Sequence, residues 1–167
     1  MSEINAFFVY GTLQRSHLRG GLWPRSPLNV FRSIVQADLY DLGPYPAASP
    51  GEGWVLGELW MLREEDLQST IQALDRIEGF EEKRTENEYI RKVIPVYYES
   101  GAVGVSSESR KSSFRSDASV NAYCYFNANP DRLTKARQIL PFSSFMGRSV
   151  SAWPDNTARV PQSFSDE

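Results

Sequence analysis

The chain has 167 residues, 41% of them hydrophobic, and a formal net charge of −3. That is enough apolar material for one domain with its own core, and the acidic balance excludes a general affinity for nucleic acid or anionic membrane. One cysteine, Cys124, and one histidine, His17, exclude an intrachain disulfide framework and a zinc site of the usual Cys/His type, and they fit a reducing cytoplasm.

In chain order, "AFFVY" (6–10) reads as a buried strand that breaks at once on "GTL". The run is too short for a signal peptide or a membrane span and no basic region precedes it, so a soluble cytoplasmic protein is expected. A glycine just after a strand is either tight-turn punctuation or a place where backbone N–H groups turn outward to hold a ligand. A short helix over 14–22 is weakened by its paired glycines, Gly20 and Gly21. Strands are predicted at 31–42, 54–62, 89–98 and 120–126, all rich in aromatic and β-branched residues.

Two helices are expected. The clearer covers 63–80, with acids in its first turn and Gly79 as its stop; the second covers 129–140, with Asn129 as N-cap and Pro130 at the first helical position. Residues 99–119, rich in Ser and Gly, predict a flexible insertion loop; their basic cluster of Arg110, Lys111 and Arg115 reads as a solvated loop. The tail from Pro141 shows little periodicity and is expected to lie over the domain as irregular chain, fraying after Arg159. Strands interspersed with two or three flanking helices predict a single α+β domain over 1–167, built on a small mixed, mainly antiparallel, barrel-like sheet. In "NAYCYFN" the period of two puts Ala122, Cys124 and Phe126 on one face and Tyr123 and Tyr125 on the other, so Cys124 is expected in the core.

One carboxylate stands out. With Leu67 at zero on the 63–80 helix, Ile71 falls at about 40°, Leu74 at about −20° and Glu78 at about 20°. Glu64, Glu65, Asp66 and Asp75 fall off that apolar stripe. Burial and the carbonyl end of the helix both disfavour an anion at Glu78, which raises its pKa toward the range useful for proton transfer near neutrality. The competing reading is a frayed end, or pairing with Arg91 or Arg84. Arg91 itself reads either as orienting a carboxylate or as strand-edge decoration, with the second favoured.

Taken together, "FVYGTL" (8–13), "YPAA" (45–48), "VLGELW" (55–60), "LDRIEGF" (74–80), "YIR" (89–91) and "AYCYF" (122–126) resemble, in order, the γ-glutamylcyclotransferase-like family, in its γ-glutamylamine cyclotransferase and avirulence-induced-gene-like branch. The resemblance implies a small mixed barrel with a cavity at one end and cyclisation of a γ-glutamyl group to 5-oxoproline with release of an amine or amino acid. It places the family's acid/base glutamate on Glu78 and its substrate-binding turn on Tyr10, Gly11, Thr12 and Leu13. Tyr45, near the pocket mouth, and Tyr125, on the late strand, become further substrate-binding candidates; for each, plain packing is the alternative. The expected ligand is a small γ-glutamyl compound, with no cofactor and no metal. The turn is "YGTL" and not the "YGSL" of the glutathione-degrading branch. The stretch after Glu78 is longer than the family's compact version, and the 99–119 loop and the tail have no counterpart. A catalytically silent member that binds a small acid or a protein partner is the alternative function. A Ser or Cys hydrolase has no support, since no G-x-S-x-G occurs.

Overall fold

The computed structural model describes residues 4–15, 17, 19–83, 87–99 and 117–153. Strand β1 (Ala6–Val9) is buried at all four positions, which is why its sequence is continuously apolar rather than alternating. Strands β2 (Asn29–Asp41) and β3 (Pro46–Met61) form a long antiparallel hairpin with an irregularity between Gln36 and Asp38. The predicted 54–62 strand is thus the second half of β3, whose first half holds Pro46, Ala47 and Ala48. Strands β4 (Tyr89–Glu99) and β5 (Asp117–Asn127) pair antiparallel throughout. Glu99 and residues 117–119 therefore belong to strands, and the rest of the expected insertion loop lies outside the described residues.

The order β3-β1-β5-β4-β2, with β2 returning to pair with β3, closes five strands into a barrel. Among the described pairings of the barrel strands with one another, the β1–β5 contact, Phe7 opposite Tyr123, is the parallel one. The barrel interior is filled by Ala6, Phe8, Val35, Leu39, Val55, Leu59, Ala122, Cys124 and Phe126. Cys124 and its two face-mates are buried there, as the alternation predicts. Burial also pushes the Cys124 thiol well above its ordinary value, which suits a packed thiol and not a nucleophile.

The other side of β1, Phe7 and Val9, meets helix α1 (Leu67–Glu78) through Leu67 and Leu74. A 3₁₀ turn, Glu64–Asp66, leads into α1, and Gly79 ends it in the left-handed region at φ 71°, a conformation glycine adopts without steric cost. Phe80 then folds back into the same core.

Three expectations are corrected. The 129–140 helix is only α2 (Pro130–Leu133): the Asn129 side chain does accept the Asp131 N–H at 3.1 Å as a cap, but β6 (Arg137–Gln138) then pairs with the end of β2, and Ile139 N–H donates to Leu39 O at 2.8 Å. Pairing with the sheet wins over helix propensity. The 14–22 segment contains a 3₁₀ turn at Gly20–Leu22 and no longer helix among the described residues. The tail from Pro141 is not irregular up to residue 151: β7 (Ser143–Phe145) and β8 (Arg148–Val150) form a hairpin through Met146 and Gly147, both at positive φ. It is attached to β3 by Leu56 N–H to Ser151 O (2.8 Å) and Ser151 N–H to Trp54 O (2.9 Å). The expected fraying after Arg159 lies outside the described residues. Among the described residues no helix is long and apolar enough to cross a membrane.

Candidate functional site

β1 delivers its C-terminal end to the rim of the barrel, where Tyr10 and the turn Gly11–Gln14 follow. The Tyr10 ring drops into the interior core, and its hydroxyl donates to Tyr125 O (2.7 Å) while accepting the Ala48 N–H (3.0 Å). Tyr10 therefore ties β1 to β5 and β3. Both hydrogen-bonding roles of its hydroxyl are satisfied by protein, and its phenol is a structural strut.

The turn has a polarity of its own. Gly11 O accepts the Gln14 N–H (3.1 Å) and Thr12 O the Arg19 N–H (2.6 Å). Leu13 O accepts the Trp23 indole N–H (2.9 Å), with Trp23 stacked on Trp60 at 3.9 Å between centroids. The carbonyls of residues 11–13 are thus all engaged, whereas the N–H groups of Gly11, Thr12 and Leu13 donate to no described residue. Gly11 is not at positive φ; instead, a Cβ there would lie 2.9 Å from both Cδ and Cγ of Pro46, a rigid ring that has little room to give. Close approach of Pro46, not a left-handed bend, requires glycine.

Beside this turn lies a cavity of about 180 Å³. Tyr10, Gly11, Thr12 and Leu13 line it, and so does Glu78 at the C-terminus of α1. Tyr45 and Tyr125 complete the set, so every site residue singled out from the sequence lines one cavity. Burial pushes the Glu78 carboxyl up from its ordinary 4.5 to about 7, against the opposing pull of the Arg19 and Arg132 guanidiniums. Glu78 thus changes protonation near neutrality, which is what an acid/base group needs. Neither a frayed end nor pairing with Arg91 is seen: α1 is helical through Glu78 and Arg91 pairs with Asp75; pairing with Arg84 lies outside the described residues.

Several lining residues escaped the sequence reading. Tyr89 closes one side, edge-on to Tyr45 at 6.4 Å, with its hydroxyl donated to Pro46 O at 2.6 Å; it stands in the "YIR" segment, which was the available signal. Arg19 and Glu88 also reach the lining. Glu88 is paired with Arg132, whose guanidinium also donates to Asn127 Oδ1 and Glu88 O and lies over the Tyr89 ring at 4.8 Å. Arg19 has no described ion-pair partner, which leaves it the available cation of the lining among the described residues.

Two readings of the sequence are overturned nearby. Asp75 is not a solvent-facing acid: its side chain is 21% exposed, and Oδ1 accepts the Tyr125 hydroxyl at 2.6 Å. Arg91 is not edge decoration. It is 16% exposed, lies 5.3 Å from the ring centres of both Phe80 and Tyr123, and places Nε 3.5 Å from Asp75 Oδ1. Among the described residues no cluster of His, Cys, Asp and Glu has metal-holding geometry.

A family model described as gamma-glutamyl cyclotransferase, AIG2-like, matches residues 7–141. Among solved structures, an AIG2-like protein from Mus musculus superposes with a TM-score of 0.53 at 21% identity, covering 79% of this chain and 84% of its own. YkqA from Bacillus subtilis superposes with a TM-score of 0.50 at 20% identity, covering 75% of this chain. The chain spans 36% of the length of YkqA. At these identities the likeness is one of fold. No curated protein matches the chain.

Proposed function

The chain belongs to the AIG2-like gamma-glutamyl cyclotransferase family, and from that premise we propose that it cyclises the γ-glutamyl group of a small amide to 5-oxoproline. The attached amine or amino acid is released, and Glu78 moves the proton. The observation that carries this reading is a carboxyl of pKa about 7 lining the same small cavity as a turn whose N–H groups have no described acceptor.

The chemistry follows from those parts. The nucleophile is the substrate's own α-amine, so attack on the γ-carbonyl is intramolecular and orientation supplies much of the rate. Glu78 takes a proton as the new C–N bond forms. The turn N–H groups stabilise the oxygen that becomes negative in the tetrahedral intermediate. Glu78 then returns the proton to the leaving nitrogen as the old C–N bond breaks, so one carboxyl serves both transfers and no electron acceptor is required. Arg19 is suited to the α-carboxylate that any γ-glutamyl group carries.

The test is incubation with γ-glutamyl amino acids, γ-glutamyl-ε-lysine, other γ-glutamyl amines and glutathione, scored for 5-oxoproline. Release from at least one of them is expected, with glutathione a poor substrate. A folded protein silent on the whole panel would refute the reading.

A further inference from the structure

The same cavity contains a second arrangement that proton transfer by Glu78 does not use. Tyr125 lines the cavity, and its hydroxyl hydrogen is committed to Asp75 Oδ1 at 2.6 Å. A carboxylate has no hydrogen to give, so the phenol is the donor of that bond and its oxygen retains only acceptor capacity for anything else. Asp75 lies three residues before Glu78 on α1, so one helix carries the acid/base carboxyl and also holds the tyrosine opposite. Arg91 braces the pair from behind: its Nε stands 3.5 Å from the same Oδ1, with the guanidinium packed between Phe80 and Tyr123. That Nε is buried and makes no hydrogen bond of its own, so its contribution is charge and position. Burial, with a smaller push from Glu82, raises the Asp75 carboxyl above its ordinary value, and the Tyr125 hydrogen bond and Arg91 oppose that rise.

We propose that Asp75, braced by Arg91, is a positioning residue that fixes the Tyr125 hydroxyl as an acceptor toward the cavity, where it selects ligands bearing a primary amine. The inference rests on the cyclotransferase reading, since the α-amine is the group that must reach the γ-carbonyl. The cavity then has a divided polarity. Backbone donors of residues 11–13 face the ligand's oxygens, while Tyr125 and Glu78 face its nitrogen.

L-glutamate and glutarate differ only by that amine, and neither offers an amide to cleave. Their dissociation constants are measured by calorimetry at pH 7.5 for the parent, Asp75→Asn, Tyr125→Phe and the double variant. The parent should bind glutamate about ten- to a hundredfold tighter than glutarate, the range of one hydrogen bond to a charged group. Tyr125→Phe should shrink that ratio toward one with glutarate affinity kept. Asp75→Asn should do the same or more, because an amide NH₂ donates to the phenol oxygen and turns the O–H toward the cavity. The double variant should lose no more selectivity than Tyr125→Phe alone. Equal loss of both ligands in Asp75→Asn, or additive loss in the double variant, would assign Asp75 to packing and overturn the inference. If Asp75→Asn does not fold, an unchanged ratio in Tyr125→Phe overturns it alone. A parent that releases 5-oxoproline but binds both ligands alike overturns the inference and leaves the cyclotransferase reading standing. One that separates them yet releases no 5-oxoproline supports the inference and fails the reading.

Discussion

Replacing Glu78 with glutamine separates what this carboxyl costs from what it does. Burial raises its pKa from 4.5 to about 7, so between those values the folded chain binds more protons than the unfolded one. Stability therefore falls as pH rises through that window and stays low above it. At roughly 1.4 kcal/mol per pH unit, the full cost above pH 7 is about 3 kcal/mol. Glu78→Gln keeps the shape and has no charge to bury. Its advantage over the parent should be close to zero at pH 4 and reach about 3 kcal/mol at pH 8.5, roughly 6–12 °C in Tm for a chain of this size. Turnover should move the other way, falling by about two to four orders of magnitude. Calorimetric melting of both proteins at the two pH values, with 5-oxoproline release at pH 7.5, gives both numbers. A melting gap that is absent at pH 8.5, or equal at both pH values, would show that Glu78 is not a buried, proton-accepting carboxyl. Glu82→Gln, an exposed acid just beyond the helix, is the control and should be silent in both assays.

For the parent, kcat/KM should rise with pH along an acid limb centred near 7, the Glu78 value; a limb centred near 4.5 would assign the proton transfer to an ordinary carboxyl. Gly11→Ala places a methyl group 2.9 Å from the Pro46 ring and should cost about 1–3 kcal/mol, most of it recovered with Pro46→Ala added; melting unchanged from the parent would return Gly11 to plain turn punctuation. Arg19→Gln should raise KM for a γ-glutamyl substrate about tenfold with kcat nearly kept, whereas an unchanged KM would remove Arg19 from carboxylate recognition. Activity should survive exhaustive chelation and dialysis, and restoration by a divalent ion after its loss would contradict a proton-transfer mechanism built on Glu78 alone.

How much of this was legible beforehand depends on how local the signal is. Glu78 was found because helical periodicity is a property of consecutive residues, and the strands because aromatic and β-branched runs fill the barrel. Asp75 was set aside by the same periodicity: at about 80° from Leu67 it looks peripheral on a helical wheel, and nothing in the sequence around it records that Tyr125, 50 residues away, reaches it. Arg91 was misread for the same reason, since both aromatic faces that enclose it come from other segments or from across the strand. The second helix was started correctly by Asn129 and Pro130 but ended wrongly, because its end is set by pairing with β2. The tail hairpin turns on Met146 at φ 54°, a conformation rare for a residue of that type, so no turn signal announced it.

The seating of β1 has a further consequence. Its neighbours are β3, antiparallel, and β5, parallel, so the strand that ends in the cavity-lining turn finds its second partner only among residues 117–127. Tyr10 crosses the same distance, bonding to Tyr125 O, 115 residues along the chain. The part of the cavity lining that Tyr125 supplies therefore depends on residues 117–127 joining the sheet beside β1. A chain cut before residue 117 lacks that part of the lining and should not bind the proposed γ-glutamyl ligand as the full chain does.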